Sequence, residues 1–244
     1  MSLPRFFAGA PEPGETVVLD TDDAQHAIRS LRLRPGSELT SSDGRGAVAT
    51  CRIVRAERLL VEAEVIDRTE ERPPVPRLTV LLAPPKGDRL AWAVQKLTEV
   101  GADQILLLDA ARSVRRWKPE RGSRAGERLE AVAREASKQS RRAFLPRIGG
   151  PEPWDDGLAA ATGRGSVVVL WEGAEAPLSE VLPGDRPQQL AVVVGPEGGI
   201  REEEARSAER AGAALASLGP QVLRTETAAV VGAALVLARY GRLG

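Results

Sequence analysis

Short, almost entirely apolar segments alternate with amphipathic segments through residues 77–244, and this alternation constrains the fold more than any other feature of the sequence. The apolar segments have the length of strands and lie at 78–83, 104–108, 166–171, 190–194 and 215–218. Strands that are apolar on both faces are typical of parallel sheets covered by helices on each side. The pattern therefore predicts an α/β domain built on a largely parallel sheet.

Between these strands, apolar residues recur at the spacing of a helix. Leu90, Ala93, Val94 and Leu97 share one face of such a segment. Further helices are predicted near 126–140, 201–211 and 225–240.

The first 70 residues have a different pattern. Short segments with β-branched or alternating character lie at 16–19, 38–41, 47–54 and 59–66, and Asp43-Gly44 predicts a tight hairpin turn between two of them. The charged, proline-rich stretch 69–76 is typical of a stiff linker. We therefore predict two domains, a small β domain at 1–70 and the α/β domain at 77–244.

Composition excludes several classes of function. The chain has 34 basic and 34 acidic residues, and this balance argues against a simple polycationic nucleic-acid binder. Because it has one cysteine, Cys51, and one histidine, His26, we expect neither a disulfide nor a metal site of the Cys/His type. The longest uncharged apolar stretch, 227–238, is too short to span a bilayer. The expectation is a soluble, cytoplasmic protein without a membrane partner.

Two loops that follow predicted strands are candidates for a ligand site. The first, GPEGG at 195–199, follows the strand at 190–194, and the second, LGPQVLRTETA at 218–228, follows the strand at 215–218. Ligands of open α/β sheets bind beyond the carboxyl ends of strands, where glycines allow close approach to the backbone. Each loop also has an ordinary interpretation, as a tight turn or as a helix start with Thr225 at the N-cap position. The residues alone leave both interpretations open.

The segment 112–142 is strongly basic in an otherwise balanced chain. It contains eleven basic residues against four acidic ones, with Trp117 among them. Such a run is usually a solvated helix face, but this density favours a surface that contacts phosphates.

Five segments in order along the chain resemble the RsmE family of bacterial 16S ribosomal RNA uridine-N3 methyltransferases. They are PRFF at 4–7, KGDRLAWAVQKLTEVG at 86–101, EASKQSRR at 135–142, GPEGG at 195–199 and LGPQVLRTETA at 218–228. The resemblance implies an N-terminal PUA-like β-barrel that binds RNA, followed by a SPOUT α/β domain with a C-terminal trefoil knot. It also implies a homodimer that uses S-adenosyl-L-methionine (SAM) to methylate 16S ribosomal RNA, free or in the small ribosomal subunit.

The family's functional residues transfer to matching positions of this chain. The cofactor would be held by three loops, whose residues are Leu170, Trp171, Glu172, Gly195, Pro196, Glu197, Gly198, Gly199, Leu218, Gly219, Val222, Leu223, Arg224 and Thr225. The predicted RNA contacts are Arg5, Arg32, Lys86, Gln139 and Arg142.

Methylation at uridine N3 requires the base to be unpaired and its N3 proton removed. By position, Glu197 is the candidate to accept the proton and Arg224 the candidate to stabilise the negative charge. Two alternatives stay open at this point: a SPOUT methyltransferase that acts on another position, such as a ribose 2′-oxygen, and a non-catalytic RNA-binding assembly factor.

Overall fold

A computed structural model describes residues 3–113 and 119–243 of the chain. The chain forms two compact units, each with a hydrophobic core of its own. The first unit comprises residues 1–73 and 137–145, and the second comprises residues 74–136 and 146–244.

The first unit is built on a five-stranded sheet. Its strands are β1 (Arg5–Phe6), β2 (Thr16–Val18), β3 (Glu38–Ser42), β4 (Ala47–Glu57) and β5 (Leu60–Glu70), and their order in the sheet is β1-β3-β4-β5-β2. β1 and β3 are parallel, and the other neighbours are antiparallel. Between β2 and β3 the chain forms a short helix, α1 (Thr21–Gln25), and a π-helical turn at His26–Ser30, neither of which the strand pattern predicted.

The predicted hairpin turn at Asp43-Gly44 is confirmed, since it joins the antiparallel strands β3 and β4. The Asp43 carboxylate accepts hydrogen bonds from the backbone N–H groups of Arg45 (2.7 Å) and Ala47 (3.1 Å), which explains why an aspartate suits this turn.

Residues 137–145 complete the first unit although they are distant from it in sequence. The Ser42 hydroxyl donates to the carbonyl of Ala143 (3.2 Å), and the N–H of Leu145 donates to the carbonyl of Gly44 (2.9 Å). Lys138 and the buried Asp23 form an ion pair. A linear boundary at residue 70 places this segment in the second domain, because contacts over such a separation leave no local pattern.

The second unit contains a six-stranded sheet in which all neighbours are parallel. Its strands are β6 (Arg77–Leu82), β7 (Gln104–Asp109), β8 (Arg147–Pro153), β9 (Ser166–Leu170), β10 (Gln189–Val194) and β11 (Ala214–Ala216), in the order β11-β9-β10-β6-β7-β8. The helices are α2 (Arg89–Val100), α3 (Pro119–Gln139), α4 (Trp154–Thr162), α5 (Leu178–Val181), α6 (Glu202–Arg210) and α7 (Thr225–Arg239).

Helices cover both faces of this sheet, as the apolar strands predicted. Consecutive strand residues point to opposite sides, so Val192 belongs to the core shared with α2 and α7, whereas Val193 belongs to the core shared with α4 and α6. Strand β8 and helix α4 were not predicted. β8 has the sequence RIGGPEP, which carries no strand pattern, and it is an edge strand that pairs with β7.

Arg242, near the end of the chain, forms hydrogen bonds with residues near the start of the second unit. The Arg242 guanidinium donates to the Asp103 carboxylate (2.7 Å) and to the carbonyl of Gly101 (2.9 Å). Asp103 also accepts from the N–H of Leu78 in β6 (2.8 Å), and both charged side chains are largely buried. Across the part of the chain that the structure describes, no helix is long and apolar enough to cross a membrane.

Candidate functional site

The loops after β9, β10 and β11 surround a cleft of about 500 Å³ at the carboxyl edge of the parallel sheet. Eleven of the fourteen residues predicted to hold a cofactor line it: Leu170, Trp171, Glu172, Gly195, Pro196, Gly199, Leu218, Gly219, Val222, Leu223 and Thr225. The cleft also includes residues that the motifs did not single out, among them Glu175, Ile200, Ser217 and Ala228. The structure thus brings three loops that are distant in sequence to one concave site.

A hydrogen bond joins two of the three loops. The Thr225 hydroxyl, which is buried, donates to the carbonyl of Gly195 (3.1 Å). This corrects the predicted capping role of Thr225, because Arg224 occupies the N-cap position of α7 and Thr225 is the first helical residue. Gly195 itself has no room for a side chain, since an added Cβ would lie 2.3 Å from Cγ1 of Ile200.

Glycine is also required at the other end of the first loop. Gly199 has φ +76°, in the left-handed region, and its N–H donates to the carbonyl of Pro196 (2.9 Å). An added Cβ at Gly199 would lie 2.5 Å from a carboxylate oxygen of Glu172 on the neighbouring loop. The loop is held from outside by Arg112, whose guanidinium donates to the carbonyl of Gly198 (2.9 Å).

The lining of the cleft changes from apolar to acidic. Leu170, Val194 and Ile200 are buried apolar residues, whereas the carboxylates of Glu172 and Glu175 are exposed to solvent. A ligand with an apolar ring and a positively charged group would match both parts.

The remaining three predicted cofactor residues, Glu197, Gly198 and Arg224, do not line this cleft. Glu197 and Arg224 line a second, more open cleft of about 840 Å³, together with Lys86, Gly87, Asp88, Arg89 and Trp92. Because their chain neighbours Pro196 and Thr225 line the first cleft, the two clefts share the same loops.

Charged side chains that line the second cleft, together with the buried Glu226, form a network around Arg89. Arg89 contacts one oxygen of Glu197 (2.7 Å) and one oxygen of Glu226 (3.6 Å), while Lys86 lies 3.8 Å from the other oxygen of Glu197. Glu226 is buried, and its Oε2 has no hydrogen-bond partner among the residues that the structure describes. Arg224 is exposed, and it forms no ion pair with the side chains described at 3–113 and 124–243.

Sequence reasoning predicted roles for Lys86, Glu197 and Arg224 but not for Arg89, Trp92 and Glu226. Arg89 and Trp92 lie in the KGDRLAWAVQKLTEVG segment, and Glu226 lies in the RTET segment, so their position in the motifs was the available signal. A residue's motif position does not show which way its side chain faces.

The other predicted RNA contacts lie in the first unit. The Arg5 guanidinium is largely buried and donates to the carbonyl of Arg141 (2.6 Å), which favours a structural role over the predicted RNA contact. Burial also lowers its pKa, although Glu71 opposes this effect. Arg32 and Gln139 are exposed, and Arg142 is half-buried and donates to the carbonyl of Phe144 (3.1 Å).

The basic segment 112–142 is described in part. Arg115, Arg116, Trp117 and Lys118 lie outside the described residues. Within the described part, Arg112 holds Gly198 and Lys138 pairs with Asp23, so these two basic groups have structural partners.

Two family models match the chain in the order of the two units. A model described as an RNA methyltransferase PUA domain matches residues 19–66, and one described as an RNA methyltransferase domain matches residues 71–237. The second match covers more than half of the chain.

Curated relatives and solved structures are similar over almost the full length. A ribosomal RNA small subunit methyltransferase E from Mycobacterium bovis is 38% identical over 225 residues, which cover 91% of this chain and 86% of the relative. The protein of the same name from Bacillus subtilis is 29% identical over 224 residues, which cover 89% of this chain and 88% of the relative. A Neisseria gonorrhoeae methyltransferase E crystallised with S-adenosyl methionine superposes with a TM-score of 0.86 at 26% identity, over 97% of this chain and 98% of that one. The chain therefore belongs to the ribosomal RNA small subunit methyltransferase E family of RNA methyltransferases.

Proposed function

We propose that this protein transfers a methyl group from SAM to N3 of a uridine in 16S ribosomal RNA, free or within the small ribosomal subunit. The observation that carries the proposal is the pair of adjoining clefts. One is surrounded by three strand-end loops and lined by eleven of the fourteen predicted cofactor residues. The other is more open and is lined by Glu197 and Arg224. Methyl transfer from a small cofactor to a large substrate needs two adjoining sites, and these two clefts share the same loops.

The first cleft fits SAM on physical grounds. Its volume of about 500 Å³ lies within the range of small-molecule sites. Leu170, Leu218 and Leu223 offer apolar surface for an adenine ring, and the backbone of Gly195 and Gly199 borders the same cleft. The carboxylates of Glu172 and Glu175 complement the positively charged sulfonium and ammonium groups of SAM.

When bound, SAM would supply an electrophilic methyl group. The chain's own task is to prepare the uridine, whose N3 is a poor nucleophile until its proton leaves. We assign the acceptance of this proton to Glu197, for which its contact with Arg89 must open. We assign the stabilisation of negative charge on O2 or O4 to Arg224, whose guanidinium is exposed in the same cleft.

The role of Arg224 is tested with Arg224→Ala and Arg224→Lys. Loss of a charge-stabilising donor typically lowers kcat by roughly 100-fold or more. We expect the alanine variant to show such a loss with SAM affinity retained, and the lysine variant to recover part of the rate. Full turnover of Arg224→Ala with unchanged SAM binding would remove Arg224 from the mechanism.

The substrate is tested by mass spectrometry of 16S ribosomal RNA from a strain that lacks the protein. The expected result is the loss of one 3-methyluridine, restored by the purified protein and SAM. If a 2′-O-methylated nucleotide disappears instead, the position assigned here is wrong. If no modification changes and SAM does not stabilise the protein, a non-catalytic RNA-binding role is favoured.

At the level of the fold, we propose that the first unit is a PUA-like barrel and that the second contains a trefoil knot. Support for the knot comes from topology: β11 lies at the sheet edge beyond β9, whereas α7, which follows it, packs on β10 and β6 in the middle of the sheet. The chain therefore crosses over β9 between the two elements.

We also propose that the protein is a cytoplasmic homodimer, in keeping with the family resemblance. Leu235 is about half exposed on α7, whose stretch 228–238 has no polar side chain, and this supports a partner surface there. Light scattering of the purified protein tests the dimer.

A further inference from the structure

Trp92 is a large apolar residue with an exposed side chain. The packing of α2 against the core does not explain why it occupies this position. It lies in the first turn of α2, where Leu90, Ala93, Val94 and Leu97 form the buried face. The Trp92 side chain points away from that core and is 44% exposed. No other aromatic residue that the structure describes is among its exposed large hydrophobic residues. A ligand that covers the indole would remove apolar surface from water, which is favourable.

The surroundings of Trp92 indicate the chemistry of that ligand. The indole lines the open cleft of about 840 Å³ with the cations Lys86, Arg89 and Arg224 and the carboxylates Asp88 and Glu197. Glu197 is neutralised by its contacts with Lys86 and Arg89, and Asp88 lies 3.7 Å from Arg128. Arg224 therefore remains as a cation available to an anionic ligand. An aromatic side chain in the same cleft as an available guanidinium suits a planar base that develops negative charge, such as a uracil that loses its N3 proton.

We propose that Trp92 is the stacking surface for the target uracil base, which leaves its RNA stack and enters this cleft before methyl transfer. The inference rests on the proposed function, because N3 lies on the pairing edge and can be reached only in an unpaired base. Flipping the base costs stacking free energy, and stacking on the Trp92 indole recovers part of that cost. Trp92 thus acts as a substrate-binding and positioning residue that presents N3 toward the loops shared with the first cleft.

A second copy of the chain is the alternative cover for an exposed indole. The character of the cleft favours the nucleotide, since the centres of protein interfaces are depleted of charged residues. Trp92 is instead surrounded by charged groups from three different segments, Lys86–Arg89, Glu197 and Arg224.

The test compares Trp92→Ala and Trp92→Phe with a matched control, Gln95→Ala. Gln95 is exposed on the same helix and does not line the cleft. Methyl transfer is measured on small subunits or 16S ribosomal RNA from a strain that lacks the protein, and SAM affinity is measured by calorimetry. We expect Trp92→Ala to lower kcat/KM roughly tenfold to a hundredfold, as is typical for the loss of one stacked base, with SAM affinity within about twofold of wild type. Trp92→Phe should keep most of the activity, and Gln95→Ala should behave as wild type.

Three results would overturn the proposal: full activity of Trp92→Ala, an equal loss in Trp92→Phe and Trp92→Ala, or a shift of Trp92→Ala from dimer to monomer in light scattering at assay concentration. The last result would identify a second copy as the cover. These outcomes differ from a failure of the proposed function, in which the wild-type protein itself would not methylate the RNA.

Discussion

At the scale of single residues, Gly195 shows how closely the first cleft is packed. Its Cα faces Ile200 at a distance that leaves no space for a methyl group, and both residues line the cleft. We predict that Gly195→Ala destabilises the protein by about 1–3 kcal/mol, the usual cost of overpacking, and weakens SAM binding at least about tenfold. Thermal unfolding and calorimetry measure the two effects.

The matched control for Gly195 is Gly184→Ala. An added Cβ at Gly184 meets nothing within 4 Å, so its stability should change by less than about 0.5 kcal/mol. Equal behaviour of the two variants would show that the close contact with Ile200 is unimportant.

Cys51 allows a prediction for pH at the same scale. Burial in the core of the first unit raises the pKa of its thiol to about 11, because the thiolate is poorly solvated there. An acid with a raised pKa in the folded state stabilises the fold below the pKa of the unfolded chain, and this contribution is lost as the pH rises toward 11. We expect Cys51 to react very slowly with a thiol reagent at pH 8 in the native protein and quickly in denaturant. Rapid reaction of the native thiol would contradict this assignment.

At the scale of elements, the bond from Thr225 to Gly195 connects the start of α7 to the loop after β10. Valine keeps the shape of threonine but removes the hydroxyl, so Thr225→Val leaves the Gly195 carbonyl without its donor. We predict a loss of about 1–2 kcal/mol in stability together with weaker SAM binding. Thr227→Val, in the same turn of α7 and outside the cleft, is the control and should bind SAM normally.

The buried ion pair of Arg242 with Asp103 joins the end of the chain to the turn between α2 and β7. Arg242→Ala leaves a buried carboxylate without its cation, which typically costs about 3–5 kcal/mol. We predict a correspondingly large fall in the chemical denaturation midpoint. Arg239→Ala removes an exposed arginine of the same segment and should have little effect. Similar midpoints for the two variants would show that the pair contributes little.

At the scale of the whole molecule, the first cleft, where we propose that SAM binds, lies entirely within the second unit. A ligand that binds the folded state stabilises it by about 2.7 kcal/mol at a concentration 100 times its Kd. Hydrogen exchange with and without SAM should therefore show added protection in the second unit, strongest in the loops after β9, β10 and β11. Protection centred on the five-stranded sheet of the first unit would place the cofactor elsewhere.

The sequence by itself determined the elements with strong local patterns. Apolar strands such as β10 and the helical spacing in α2 follow from side-chain periodicity, and the motifs at 195–199 and 218–228 indicated most of the residues around the first cleft. By contrast, the tertiary structure alone decided which residues meet across the chain. Several features depend on partners distant in sequence. They are strand β8, the placement of residues 137–145, the hydrogen bond from Thr225 to Gly195, and the network of Arg89 with Glu197 and Glu226. The spacing of apolar residues indicates which side chains are buried, because the buried face of a strand or helix recurs at a fixed interval along the sequence. It does not record the identity of the partner, since that depends on the order of the strands and the path between them.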